Sequence, residues 1–175
     1  MLTKINHHTK LNNHLESFCD IILSTATEHP TDQRFYTIAP YTIFAIDGSG
    51  GTFGFIGEVT SDAPIGYISS EGACGRIADN LHDFFSLVTF YPYMWQDAIQ
   101  YTRLHGERGL AEYLAQYERE IRGDRPDYDE VQSWIAHELD LHHSEQIIPN
   151  LMQSLTTTPS FLAYCAEDDQ PYEQL

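Results

Sequence analysis

Apolar residues recur at helical spacing near the start of the chain, give way to short aromatic and β-branched runs in the middle, and return to helical spacing after it. Two periods segregated in this way describe an α+β fold, with helices gathered beside a sheet. Leu11, Leu15, Phe18 and Ile22 form the first stripe, with Asn12, Asn13, Glu16 and Asp20 off it. This helix is expected to fade around Thr27–His29, because Pro30 disfavours helical geometry in the residue before it.

From Arg34 to Ser70 the candidate strands are Phe35–Ile38, Tyr41–Ile46, Thr52–Ile56 and Ile65–Ser69. They predict an antiparallel meander. Asp47-Gly48-Ser49-Gly50-Gly51 joins the second run to the third as a hairpin turn, and at least one glycine there is expected to take a positive φ. Ser61-Asp62-Ala63-Pro64 makes the next loop.

After Gly75 the pattern is helical. One stripe is Leu81, Phe84, Phe85 and Val88, with Asp79 or Asn80 as N-cap. Trp95, Ala98, Ile99 and Thr102 give the next, stopped by Gly106. Leu110, Tyr113, Leu114, Tyr117 and Ile121 follow, and then Val131, Trp134, Ile135 and Leu139. Ile148, Leu151 and Leu155 lie on a helix beginning near Ser144. A last short helix is expected from Thr158-Pro159 through Tyr164, followed by a loose acidic tail over Glu167–Leu175. The expected architecture is an N-terminal helix, a central antiparallel sheet and a helical C-terminal half. One sheet face should pack on Leu15, Phe18, Phe84 and Phe85.

Charge narrows the function. The 175 residues hold 9 Lys and Arg against 26 Asp and Glu, a net charge of −17. A nucleic-acid binder needs cations to displace phosphate counterions, so that class is disfavoured, as is binding to an anionic membrane. A basic protein partner is permitted. The acids are uneven: residues 1–90 carry 10 against 4 bases (−6), and residues 91–175 carry 16 against 5 (−11). Cys19, Cys74 and Cys165 are odd in number and far apart, which predicts free thiols. No apolar stretch approaches the roughly 18 residues of a membrane span, and the N-terminal residues do not read as a signal peptide. The cytoplasm is the expected compartment.

The catalytic and cofactor motifs fail on spacing. A dinucleotide loop Gly-x-Gly-x-x-Gly would need glycine where Phe53 stands, and no Gly-Lys pair completes a phosphate loop. A nucleophile elbow at Ser49 would need glycine where Asp47 stands. Asp47, Gly48, Ser49, Gly50 and Gly51 therefore read as a structural turn. His137 and His142 are five residues apart, on different helix faces, so the cluster His137–His143 reads as solvated side chains and not as metal ligands. His7-His8 falls in an N-terminus expected to fray. Carboxylate groups such as Glu118/Glu120 and Asp127/Asp129/Glu130 read as solvation and helix-dipole complementation. Cys74 reads as a buried, inert thiol. No cofactor, metal or catalytic residue is expected. A small-substrate enzyme, with Asp47, His82 or His137 as its candidates, is the weaker alternative, beside a regulatory scaffold.

One ordered series of motifs resembles a known family. Phe44-Ala45-Ile46-Asp47-Gly48-Ser49-Gly50 is followed by the strand Thr52–Ile56, by Pro64–Glu71, and by Ile77-Ala78-Asp79-Asn80-Leu81-His82-Asp83-Phe84-Phe85. This order is similar to that of the SUKH superfamily, which includes Syd, fungal cell-wall-synthesis regulators and bacterial immunity proteins. The resemblance implies a SUKH-like core over residues 1–90 and a helical extension over 91–175 packed on it in one continuous domain. It further implies a binding module, not an enzyme, that neutralises a cognate toxin, often a nuclease or deaminase, by direct contact. A basic toxin would suit the charge. Glu58, Asp62 and Glu71, at strand ends, are the candidate contact acids.

Overall fold

The computed structural model describes residues 1–24 and 34–175, so the expected fading of the first helix at Thr27–His29 lies outside the described residues. The chain begins with α1 (Leu2–Asn6) and α2 (Thr9–Cys19). The N-terminus is docked, not frayed: Ile5 is fully buried and the Lys4 ammonium meets Glu138 at 3.1 Å. His8 caps α2 by accepting from the Leu11 N–H at 3.2 Å, and its ring stands edge-on to Trp134. Helix α2 stops before its apolar stripe does. Asp20 takes a left-handed φ of 56° and its N–H bonds the Leu15 carbonyl, which frees Ile22 to enter strand β1 (Ile22–Leu23).

Strand β2 (Phe35–Thr37) precedes the meander β3 (Tyr41–Ile46), β4 (Thr52–Ile56), β5 (Ile65–Ile68) and β6 (Ala73–Ala78). Helices α3 (Leu81–Phe90), α4 (Met94–His105), α5 (Leu110–Asp124), α6 (Tyr128–Leu139) and α7 (Ile147–Leu155) follow, each on a stripe read from the sequence. Asn80 is the N-cap of α3, its side chain accepting from the Asp83 N–H at 2.9 Å. The end departs from expectation. The segment through Tyr164 is not helical but contributes β7 (Ala163–Cys165), and the acidic tail is not loose but contributes β8 (Glu173–Gln174). The six-stranded sheet runs β1-β3-β4-β5-β6-β8, antiparallel except for the β6–β8 edge, which is parallel. Strands β2 and β7 form a separate antiparallel pair. The class is α+β, with N-terminal helices and a largely helical C-terminal half.

Both faces of the main sheet are covered. On the inner face Phe44, Phe53, Phe55, Ile65 and Tyr67 meet the helices, and Phe84 sits 5.4 Å from the Phe44 ring and 5.2 Å from the Phe53 ring. Leu15, Phe18 and Phe85 share this core as expected. On the outer face Ile68 and Cys74 pack with Phe161 and Ala163, next to Phe35, Tyr41 and Ile56. Two glycines let aromatic rings lie flat on that face. A Cβ on Gly54 would come within 2.6 Å of the Tyr41 ring, and one on Gly66 within 2.9 Å of the Phe161 ring. Coverage on both faces explains why β5 is buried at every position instead of alternating.

Candidate functional site

The meander sorts the predicted contact acids. Successive connections lie at opposite ends of the sheet, so Glu58 and Asp62, between β4 and β5, sit at one end. Glu71, between β5 and β6, sits at the other, beside the Asp47–Gly51 turn. The ends are about 15 Å apart at strand rise. All three acids are exposed, but they do not form one face. At the Glu58 end, Ile38 is 74% and Val59 58% exposed, on loops joined by the Gly57 N–H donating to the Pro40 carbonyl at 2.8 Å.

Asp47–Gly51 forms the expected turn, with Gly50 at φ +90°. The buried Asp47 carboxylate organises it. One oxygen accepts from the Ser49 N–H at 2.9 Å, the Ser49 hydroxyl at 2.7 Å and the Gly51 N–H at 2.8 Å. The other accepts from the Tyr67 hydroxyl at 2.6 Å, which also accepts from the Gln96 amide at 3.2 Å. Burial and the neighbouring Asp47 push the Tyr67 phenol well above its ordinary pKa, so it remains a donor. Every contact of this carboxylate is internal: it ties the turn to β5 and α4.

His82, on α3, borders a cleft of about 220 Å³ of mixed polar and apolar lining, with Asp79, Asp83, His142 and Ser154 among its polar residues. Asp79 is engaged by the Arg76 guanidinium and the Ser154 hydroxyl, both at 2.8 Å, and Asp83 by the Asn80 amide at 2.8 Å. Neither Asp47 nor His137 lines the cleft, so the three residues considered for catalysis are not assembled. Among the described residues no group of three or more His, Cys, Asp or Glu side chains is placed to hold a metal ion. Cys74 is fully buried, takes the Ala163 N–H and the Gln174 amide at 3.4 Å each, and has its thiol pKa pushed up by burial.

A larger concavity lies outside the sequence expectations. A groove of about 1090 Å³ runs between α4, α5 and α7. Met94 and Ile99 come from α4, Leu110 and Leu114 from α5, and Ile148 and Met152 from α7. These residues lie on, or beside, the stripes read from the sequence. The gap exists because α5 presents exposed Ala111 and Ala115, one turn apart, where larger side chains would have filled it. Its rim carries Glu107, Glu118 and Glu145. Glu118 and Glu145, from different walls, both act on the half-buried Tyr91 phenol, whose pKa is raised by burial first and by these two carboxylates next. Arg103, the rim arginine, is engaged by Glu173.

The other side of the α4–α5 hairpin carries a tyrosine stack. Tyr101 and Tyr113 lie face to face with centroids 4.7 Å apart, and Asp97 lies one turn before Tyr101. Burial holds the Asp97 carboxyl above the usual carboxylate range, partly offset by its own backbone N–H. A carboxyl raised in the folded state binds more protons there than in the unfolded chain, so its contribution to stability falls as pH rises through the folded pKa. Asp97→Asn is therefore expected to raise stability at pH 7, with the gain shrinking towards zero as pH falls through the carboxylate range. Urea unfolding across that range checks this, and an equal gain at all pH values would contradict it.

Comparison with protein-family models, with curated proteins and with solved structures finds no match to this chain. Among the described residues no helix is long and apolar enough to cross a membrane.

Proposed function

We propose that this protein is a cytoplasmic binding module that neutralises a cognate basic protein by direct contact, in the manner of an immunity protein against a nuclease or deaminase toxin. The observation that carries the reading is how the cations are used. Lys4, Arg76, Arg103, Arg122 and Arg125 each already reach a carboxylate of the same chain. With 26 acids against 9 bases, the remaining acids present an uncompensated negative surface. The resemblance of the Phe44–Phe85 motifs to the SUKH series supports the same reading. In it the chain does no chemistry and needs no cofactor.

The test is co-expression with the product of the adjacent gene, followed by association kinetics of the purified pair. That product should be toxic alone and tolerated with this chain. The on-rate should fall several-fold between about 10 mM and 300 mM salt, as the Debye length shrinks from roughly 30 Å to under 8 Å. Binding without protection would favour a regulatory scaffold. An on-rate indifferent to salt would remove the electrostatic claim, and no binding would remove the neutralising one.

A further inference from the structure

We propose that the groove between α4, α5 and α7 seats a basic amphipathic helix of the partner protein; this rests on the binding-module reading and gives it a site. Shape comes first. About 1090 Å³ reaches the top of the range of roughly 300–1,000 Å³ typical of small-molecule sites. Ala111 and Ala115 leave one wall low, so that an elongated body can approach α5 closely. The walls are helices, and the two-residue β8, which reaches the lining through the adjoining Leu175, offers an extended peptide at most a short edge. An extended peptide would leave most of its backbone groups unpaired there, whereas a helix satisfies its own. The apolar floor then takes residues spaced at i, i+3, i+4 and i+7, with the partly exposed Met152 adaptable enough to fit varied side chains and Met94 buried in the core that backs it.

Charge selects among apolar occupants. Glu107 and Glu145 are exposed on the rim and form no ion pair among the described residues, and Glu118 adds a third carboxylate, shared with Arg122 at 2.9 Å. Arg103 is occupied by Glu173. A fatty acid would bring its carboxylate to three glutamates and to a lining arginine, Arg103, that Glu173 already engages. A helix with Lys or Arg beside its apolar stripe meets both the floor and the rim.

The experiment uses the full chain and a peptide of about 18 residues with Leu at one helical face and Lys elsewhere. Controls replace Leu by Ser, replace Lys by Glu, or substitute palmitate for the peptide. The chain has three methionines, and two line the groove, so methyl-labelled Met94 and Met152 report occupancy while Met1 serves as the internal reference. The Leu/Lys peptide should bind, gain helical circular dichroism, and shift Met94 and Met152 but not Met1. Ala115→Trp, at an exposed position, should weaken binding by about tenfold or more, and Glu107→Lys with Glu145→Lys by about fivefold. Equal binding of the Ser/Lys control, unchanged binding by a folded Ala115→Trp, or occupancy by palmitate and not by peptide would each overturn the proposal. Should Ala115→Trp fail to fold, the methyl shifts and the Ser/Lys control decide alone. The two readings separate cleanly. If the cognate partner binds folded Ala115→Trp as tightly as wild type, the groove assignment falls and the module stands. If no partner binds wild type while the peptide shifts the two methyls, the neutralising role falls and the groove stands.

Discussion

Asp47→Ala is expected to destabilise the fold by about 3 kcal/mol, because it leaves buried donors without an acceptor. The Gly51 N–H and the Tyr67 hydroxyl are buried, and both point at this carboxylate. Ser49 loses two bonds as well, but its surroundings are wetter. For a chain of this size the midpoint of thermal unfolding should drop by about 6–12 °C. Asp47→Asn keeps one acceptor oxygen and should cost about half as much. Tyr67→Phe alone should cost about 1.5–3 kcal/mol, the range for a hydrogen bond to a charged group. In a double-mutant cycle Asp47→Ala and Tyr67→Phe should be non-additive by about 1 kcal/mol or more, since they remove the same bond. Urea unfolding of the four proteins measures this. Strict additivity, or a loss under about 1 kcal/mol for Asp47→Ala, would show that water replaces the carboxylate without cost.

Phe84→Ala should have the larger effect, about 3–5 kcal/mol. The ring is fully buried and stands against Phe44, Phe53 and Phe85, the last at 5.1 Å. It bridges the sheet and the helical layer, so its removal opens a cavity bounded by rigid rings on several sides, where relaxation is poor. Phe84→Leu should cost less, because most of the volume is retained. The measurement is the shift of the urea midpoint at constant slope. A slope that changed as well would mean that the native state had loosened, and a cost near that of an exposed residue would contradict the packing described.

Helices α2 to α7 were legible because each carries a stripe that its own spacing defines, whereas the five-residue α1 is too short to show one. Asn80 before α3 and Gly106 after α4 marked their limits chemically. Strand β6 lies outside the candidate strands and runs three residues past Gly75, where a helical pattern is expected, because Ala73-Cys74-Gly75-Arg76 is poor in β-formers; β5 and the covering α7 hold it extended. Strands β7 and β8 are three and two residues long, and their stability comes from partners far away in the chain, which no local window contains. The end of α2 turned on Asp20 adopting a left-handed conformation, uncommon outside glycine, while Pro30 was the visible breaker. The site divides in the same manner. The glycine turn was plain, but the Tyr67 and Gln96 partners of Asp47 are set by topology. The groove was hidden because a stripe shows which side of a helix seeks cover and not whether cover is complete.

The pairing of β2 with β7 joins Phe35 to Cys165, residues 130 positions apart. During synthesis the meander and its helical layer can assemble while Phe161, Ala163 and β8 are still to be made. Until they arrive, Tyr41, Ile56 and Ile68 face water on the outer side of the sheet. Contacts of such long sequence separation slow the final step, and bare strands in the interval invite association with other chains. A nascent product halted near residue 160 would therefore behave as a sticky, unfinished sheet, and not as a smaller version of the protein.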